Sequence, residues 1–413
     1  MTWERATLGD VCLKVVKRDP VSTGRARIRY IDIGGIDGTF HRLGDVPEID
    51  SVGAPSRCRQ IVAAGDTVFS TVRPYLEKIA YVDGWLGGEF ASTGFSVLRP
   101  GPRLEPKFLY YFTISQEMFD QVLPYQKGVS YPAVLDREVR SVSMPVPPLE
   151  EQRRIVAILE DHLSRLDAAD SSIRDATLRS RTLVASSSGQ AVREALSESP
   201  LESIGAHAEL VQYGTSAKCH DQPGSDDIPV LRMGNIRDAR IDWNNLKYLA
   251  QEHSDLPKLL LQRGDLLFNR TNSAELVGKS AVVEEDARAS FASYLIRVRL
   301  RPSVDPHWAN IVINSPQGRA YVASCVSQQV GQANVNGQKL KAFPLPVPPR
   351  PRQQQFVGQH RELVEAAEHA VRGASIALGR SAALRRSLFA TAFSGRLTGS
   401  SSAMSVVEGR IET

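Results

Sequence analysis

Hydrophobic positions along this chain follow two alternating patterns, and the alternation occurs twice. Residues 1 to about 144 intersperse short apolar runs with Gly, Pro and Asp turns. Examples are Ile61-Val62-Ala63-Ala64-Gly65-Asp66-Thr67-Val68-Phe69 and Thr93-Gly94-Phe95-Ser96-Val97-Leu98. That pattern predicts a β-rich globule, with one helical segment near Lys107 to Leu123. After the proline run Pro145-Val146-Pro147-Pro148 the period changes, and apolar or small residues recur at alternating spacings of four and three, the seam of a coiled coil. The seam reads Ile155, Leu159, His162, Leu166, Ala169, Ile173, Ala176, Ser180, Leu183. Prolines suit the start of such a helix, because the residue before Pro is pushed to extended conformations and Pro itself is tolerated in a first turn.

The same two patterns then return. Pro346-Val347-Pro348-Pro349 lies 201 residues after the first proline run. In the same register a second seam runs Phe356, His360, Leu363, Ala367, Ala370, Ala374, Ala377, Ser381, Leu384, Leu388. Within the globules, Tyr30-Ile31-Asp32-Ile33-Gly34-Gly35-Ile36 corresponds to Val230-Leu231-Arg232-Met233-Gly234-Asn235-Ile236. Gly65-Asp66 with Phe69 corresponds to Gly264-Asp265 with Phe268, and Phe90-Ala91-Ser92 to Phe291-Ala292-Ser293. Between these landmarks the copies differ almost completely, so the chain reads as a tandem duplication.

The expected fold class is α+β: two β-rich domains joined by two long antiparallel coiled-coil helices, related by a pseudo-two-fold. The expected boundaries are residues 1–149 for the first domain, 150–199 for the first spacer helix, 200–345 for the second domain and 346–399 for the second spacer helix. Residues 400–413, polar and small, are expected to form a disordered tail. The named seam anchors are Ile155, Leu159, Leu166, Ile173, Leu183, Phe356, Leu363, Leu384 and Leu388.

Composition narrows the class only a little. With 413 residues, 42% of them hydrophobic, the chain can bury two or three cores. The cysteines Cys12, Cys58, Cys219 and Cys325 show no CxxC spacing, which points to reduced thiols rather than a zinc site. No apolar run reaches the roughly 18 residues of a membrane span, and the N-terminus lacks a signal peptide's apolar stretch. A soluble cytoplasmic protein with no membrane partner is expected. The formal charge of +4 is too small to supply a global field for nucleic acid, so phosphate contacts must come from local clusters.

Catalytic motifs are absent or incomplete. Ser273-Ala274-Glu275-Leu276-Val277-Gly278-Lys279-Ser280 imitates half of a P-loop, but Ser273 stands where the first glycine must turn the chain. Gly34-Gly35-Ile36-Asp37-Gly38 lacks dinucleotide spacing, and neither HExxH nor GxSxG occurs. Val146-Pro147-Pro148 lacks the polar residue that precedes Pro-Pro in adenine methyltransferases. His162 and His360 lie on the seams, but antiparallel packing would carry them to opposite ends of the pair, which leaves no metal clamp. No catalytic residue and no metal site is expected.

What remains is recognition, because Arg and Lys pair with guanine edges and phosphates, and Asn and Gln with adenine. In the first domain the stretch from Lys14 to Arg29 places Lys14, Lys17, Arg18, Arg25, Arg27 and Arg29 around a single acid, Asp19. Arg73, Tyr75 and Lys78 form a second cluster, and Lys127, Ser130 and Tyr131 a third. In the second domain the candidates are Tyr213, Thr215, Ser216 and Lys218, Arg232 with Asn235, the trio Asn269, Arg270 and Asn272, and the loop residues Gln332, Asn334 and Asn336.

Taken in order and twice over, these motifs resemble the DNA-specificity subunit of Type I restriction-modification enzymes. The residues that carry the resemblance are PVPPLEEQRRIVAIL at Pro145 to Leu159, PLPVPPRPRQQQFV at Pro344 to Val357, YGTS at Tyr213 to Ser216, VLRMGNI at Val230 to Ile236, RGDLLFNR at Arg263 to Arg270 and FSGRL at Phe393 to Leu397. The resemblance covers about residues 1 to 398. The resemblance implies a non-catalytic reader of double-stranded DNA in which each target recognition domain reads one half of a bipartite, asymmetric sequence and the helices set the spacing. It implies two modification subunits and restriction/translocase subunits as partners. S-adenosylmethionine, ATP and Mg would sit on those partners, with no cofactor in this chain. The competing reading is a coiled-coil interaction scaffold that does not read DNA. The second helix departs from the pattern, with Arg350, Pro351 and Arg352 where the first has Leu149, Glu150 and Glu151. Without an acidic first turn it is expected to fray more easily.

Overall fold

Helices long enough to cross from one sequence pattern to the next do form where the prolines predict. In this computed structural model, α1 spans Pro106–Thr113, α2 Leu149–Glu198, α3 Pro306–Asn314 and α4 Arg350–Phe393. Residues 3–128, 131–273, 277–286, 288–329 and 332–398 are described. The expected tail at 400–413, Ser130 and part of the false P-loop lie outside them, as do the side chains at 272, 327–329, 332 and 333. The chain forms two compact units, Met1–Ile173 with Ile376–Thr413 and Arg174–Ser375. The division falls within the helices, so each unit owns half of α2 and half of α4.

In the first unit, alternating strands build two four-stranded sheets. One runs Glu48–Asp50, Arg27–Ile31, Phe90–Ser92, Cys58–Ile61, with the central pair parallel. The other is antiparallel: Cys12–Leu13, Phe95–Pro100, Thr67–Ser70, Ile79–Tyr81. A short ladder closes the globule, Arg5–Thr7 pairing with Ser143–Pro145, and its last residue opens the proline run. The core lies beneath the second sheet, where Phe69, Phe108, Leu109, Phe112 and Phe119 meet Ile155, Val156 and Leu159 of α2 and Leu388, Phe389, Ala392 and Phe393 of α4. The start of one long helix therefore packs with the end of the other. FSGRL ends α4 in this unit: Gly395 takes the left-handed conformation at φ +76°, which a side chain would strain, and Leu397 packs against the core.

The second unit repeats the frame. Its larger sheet runs Ala208–Tyr213, Leu295–Leu300, Leu266–Asn269, Ser280–Val282, and its smaller one holds the parallel pair Ile228–Leu231 and Ser290–Phe291. The closing ladder pairs Leu201–Ser203 with Pro344–Pro346, the first unit's arrangement carried into the second proline run. Here Val192 and Ala195 of α2 share a core with Trp308 of α3 and Phe356 of α4, the two rings stacked at 5.0 Å. Again opposite helix ends meet, so the pair is antiparallel within each unit, as expected.

The Gly-Asp landmark now has a physical reason. Asp66, fully buried, takes both forks of Arg99 at 2.9 and 2.7 Å and the amide of Ala63 at 2.8 Å. Asp265 does the same with Arg299 at 2.8 and 2.9 Å and with the amide of Gln262. A buried carboxylate is tolerated because its lone pairs are filled by charge-assisted bonds.

Two expectations about the helices need correction. Leu183 is 56% exposed and Val184 takes its place, as Asp170 does for Ala169 and Thr177 for Ala176. Ile155 and Leu159 are fully buried, while Leu166 and Ile173 stay on the seam half-buried. On α4, Phe356 and Leu388 are buried and Leu363 and Leu384 half-buried, but Val371 replaces Ala370. A straight helix drifts against a strict heptad, so alternate seam positions slip by one residue. The start of α4 is also anchored rather than frayed. Arg352 bridges Glu194 and Glu198 at 3.2 and 2.7 Å and lies 4.2 Å over the Phe356 ring, while Arg350 reaches Asp305 at 3.2 Å. The acids missing from its own first turn come from the last turns of α2, and the hydrogen bond from Arg352 holds the Glu198 carboxyl below its ordinary value.

Candidate nucleic-acid interface

Strand ends bring several of the candidate residues together. In the first unit, bridges from Val72 and from Lys127 to Ala133 draw the Arg73 loop against the segment carrying Tyr131. Arg73 adopts φ +48°, donates its amide to the Pro132 carbonyl at 2.7 Å, and stacks its guanidinium 4.9 Å over the Tyr131 ring. Tyr131 is 72% exposed, and Tyr75 and Lys127 are exposed beside it. The Arg73 Nε has no hydrogen-bond partner although it is buried.

The second unit builds a similar platform from other positions. Arg270 lies 4.9 Å over Tyr213 and reaches the Ser293 carbonyl and the Asn334 carboxamide, both at 3.4 Å. Tyr213, 42% exposed, accepts the Gly337 amide at 2.7 Å. A three-stranded sheet, matched among the described residues of the first unit by the two bridges to Ala133, carries the rim, with Thr271–Asn272 and Ser327–Gln329 flanking Gln332–Asn334. Thus the backbones of Asn272 and Gln332 join Tyr213, Arg270 and Asn334 at one edge. A guanidinium held flat on an aromatic ring keeps an edge of donors for base or phosphate acceptors. Ser216 and Lys218 are exposed on the loop that follows Tyr213.

Other candidates serve the frame. Thr215 is buried and donates to Asp255 at 2.6 Å. Asn235 is buried and closes a turn with its carboxamide, accepting the Arg232 amide and donating to the Asp242 and Asn244 carbonyls. Asn269 is buried, Asn336 caps the helix that follows it, and Lys78 donates to the Ile36 carbonyl at 2.8 Å. Arg232 gives one arm to the Asn245 carbonyl. Thr215, Asn235 and Asn269 are buried inside the domain, which corrects the expectation that they face DNA, whereas Lys78 and Arg232 stay half-buried and Asn336 exposed while making these bonds.

The basic run at the N-terminus is also less free than its sequence suggests. Arg25 pairs with Glu89, Arg27 lies 3.6 Å from Glu48 and 3.8 Å from Asp50, and Asp19 pairs with Arg59 instead. Arg29 donates to the Val46 carbonyl and lies 5.3 Å from the centre of the exposed Trp85 ring. Lys17 and Arg18 remain exposed. Strand pairing delivers acids that are remote in the chain, which a local count of charges cannot see.

Sequence reasoning missed Arg297, a nearly fully buried arginine at the position of Val97 in the first unit. It holds the Lys258 and Leu260 carbonyls at 2.9 and 2.7 Å, and burial lowers its pKa. It also missed the roles of Gln152 and Gln353, whose only signal is their shared register.

Among the described residues no cluster of His, Cys, Asp and Glu could hold a metal ion, and no helix is long and apolar enough to cross a membrane. Residues 1–172 match the family described as Type I restriction modification DNA specificity domain. A solved chain reported under "structural basis underlying complex assembly and conformational transition of the type I R-M system" superposes with a TM-score of 0.78 at 25% identity, covering 96% of this chain and 98% of that one. The chain is similar to the specificity subunits of Type I restriction-modification systems. Among named relatives, the EcoKI specificity subunit of Escherichia coli K12 is 26% identical over 314 residues, 73% of this chain and 68% of that protein. The StySPI specificity subunit of Salmonella potsdam is 24% identical over 73% of this chain and 67% of its own length. The HsdS subunit of Thermoanaerobacter tengcongensis shares the fold with a TM-score of 0.59. The role these similarities support is that of a non-catalytic DNA-specificity subunit.

Proposed function

We propose that each unit reads one half of a bipartite, asymmetric DNA target, with the Arg73–Tyr131 and Arg270–Tyr213 platforms at the two reading surfaces. The observation that carries this is a common frame bearing unlike surfaces, since the two stacks use arginines and tyrosines from non-equivalent positions. Unlike surfaces call for unlike half-sites, so the full target is not a palindrome. In this reading α2 and α4 set the unread spacing and dock two modification subunits, and restriction/translocase subunits join that assembly. S-adenosylmethionine, ATP and Mg belong to those partners, and the complex acts in the cytoplasm, where the DNA is.

Mapping N6-methyladenine in cells that carry the system defines the target. Replacing residues 1–144 with the corresponding domain of a relative then changes one half of the methylated sequence and keeps the other half and the spacing. Inserting one helical turn after Ala169 changes the spacing and keeps both halves. An insertion that altered the bases read would refute the assignment. A DNA-independent scaffold would show no affinity for the mapped duplex that falls steeply with salt.

A further inference from the structure

The first turn of each long helix carries a glutamine whose carboxamide is fully buried and fully used. Gln152 donates through Nε2 to the carbonyls of Arg103 and Pro147, both at 2.8 Å, and accepts the Glu105 amide on Oε1 at 2.8 Å. Gln353 donates to the carbonyls of Ser303 and Pro348 at 3.0 and 2.7 Å and accepts the Asp305 amide at 2.7 Å. The partners are equivalent in the two units: the loop after the last strand of the larger sheet, the proline run, and the residue that precedes α1 or α3. Around them the side chains differ, with Glu150 and Glu151 beside one glutamine and Pro351 and Arg352 beside the other. The orientation of each amide is forced, since two carbonyls demand the NH2 group and one N–H demands the oxygen.

We infer that Gln152 and Gln353 are positioning residues that fix the angle of each reading domain on its spacer helix, and so the DNA spacing the subunit accepts. This rests on the bipartite reading above. Most other helix-to-globule contacts among the described residues are apolar, such as Ile155, Val156 and Leu159 against the first core, or partly exposed ion pairs such as Lys107 with Glu160 and Arg350 with Asp305, with the bond from Gln317 to the Gly189 carbonyl at 2.8 Å the exception far down α2. Apolar burial has no direction and exposed charged side chains adapt, so neither resists a small rotation. A planar amide held by three backbone groups does resist it. The tolerance is tight. One base step along a strand is about 3.4 Å, and at the end of an arm of about 30 Å, the width of a small domain, that displacement corresponds to a rotation of only about 6°.

The experiment measures methylation by the subunit assembled with its modification subunits. The substrates are duplexes of the mapped target with the native spacer and with one base pair added or removed. Wild type should favour the native spacer strongly. Gln152→Met and, independently, Gln353→Met should lower the native-to-altered preference by about tenfold or more while the half-site bases stay the same. Gln152→Glu, which keeps the acceptor but repels two carbonyls, is a third variant should the methionine forms fail to fold. Val68→Ala weakens a separate apolar cluster of the first unit, with Ile31 and Val97 and away from the joint, and serves as the stability control, with its spacer preference unchanged. Folded glutamine variants with wild-type preference would overturn the inference, as would an equal loss of preference in Val68→Ala. Wild type indifferent to spacer length would instead overturn the bipartite reading itself.

Discussion

Replacing Phe393 with alanine tests whether the last turn of the chain's second long helix belongs to the core of the first domain. The ring is 3% exposed and makes edge contacts with Phe108 and Phe112, both at 5.3 Å between centroids, nearly 300 residues earlier in the chain. Truncating a buried Phe costs about 3–5 kcal/mol, the lost transfer energy plus the cavity. Two aromatic edge contacts place this site toward the upper end, since each such pair adds about 0.5–1.5 kcal/mol beyond area. Against a typical domain stability of about 5–15 kcal/mol, the loss is large enough to open the first unit locally. Hydrogen exchange read by mass spectrometry separates the units, so Phe393→Ala should strip protection from α1 and from Gln116–Val122 while α3 and Pro316–Cys325 keep theirs. A loss below about 1 kcal/mol, or deprotection centred on the second unit, would refute the antiparallel contact from which the fold is argued.

Three further outcomes follow from the same contacts. Arg73→Ala should weaken binding by about 1–3 kcal/mol and relax base preference only in the half-site read by the first unit, as measured by competition among substituted duplexes. Thr215→Val should lower stability by about 0.5–1.5 kcal/mol in a denaturant melt, because it removes the bonds to the half-exposed Asp255 and from the Ala217 amide, and should leave base preference untouched. Burial alone lowers the His360 pKa below 6.5, so the folded state holds this proton less tightly than the unfolded chain does. Stability therefore falls as pH drops below about 6.5, and His360→Leu should flatten that acid limb in a series of melts.

Local pattern made a large share of this protein legible. The two seams, the two proline runs and the repeated Gly-Asp turns depend on neighbours a few residues away, and period and turn chemistry report such neighbours directly. Ile155, Leu159, Phe356 and Leu388 are buried as their spacing implied. Leu183 is not, because helical drift accumulates beyond the range over which a heptad count holds.

The candidate site was legible only in part. Arg73 with Tyr131, and Tyr213 with Arg270, were identified as residue types, but their stacking needs strand pairs that no local window contains. Thr215 and Asn235 looked like readers because small polar side chains serve binding and turn closure equally well, and only burial separates the two uses.

By itself, the sequence determined that a β-rich unit and a long helix are each present twice, and that the duplicated frame carries different surfaces. Tertiary structure alone decided that each unit is completed by half of both helices, that Arg25 and Arg27 are matched by acids from distant strands, and that Gln152 and Gln353 each satisfy three backbone groups. The division has one physical cause. Periodicity and turn preference act through neighbouring residues, whereas a packed ring, an ion pair or a buried amide is defined by groups brought together only when the chain folds.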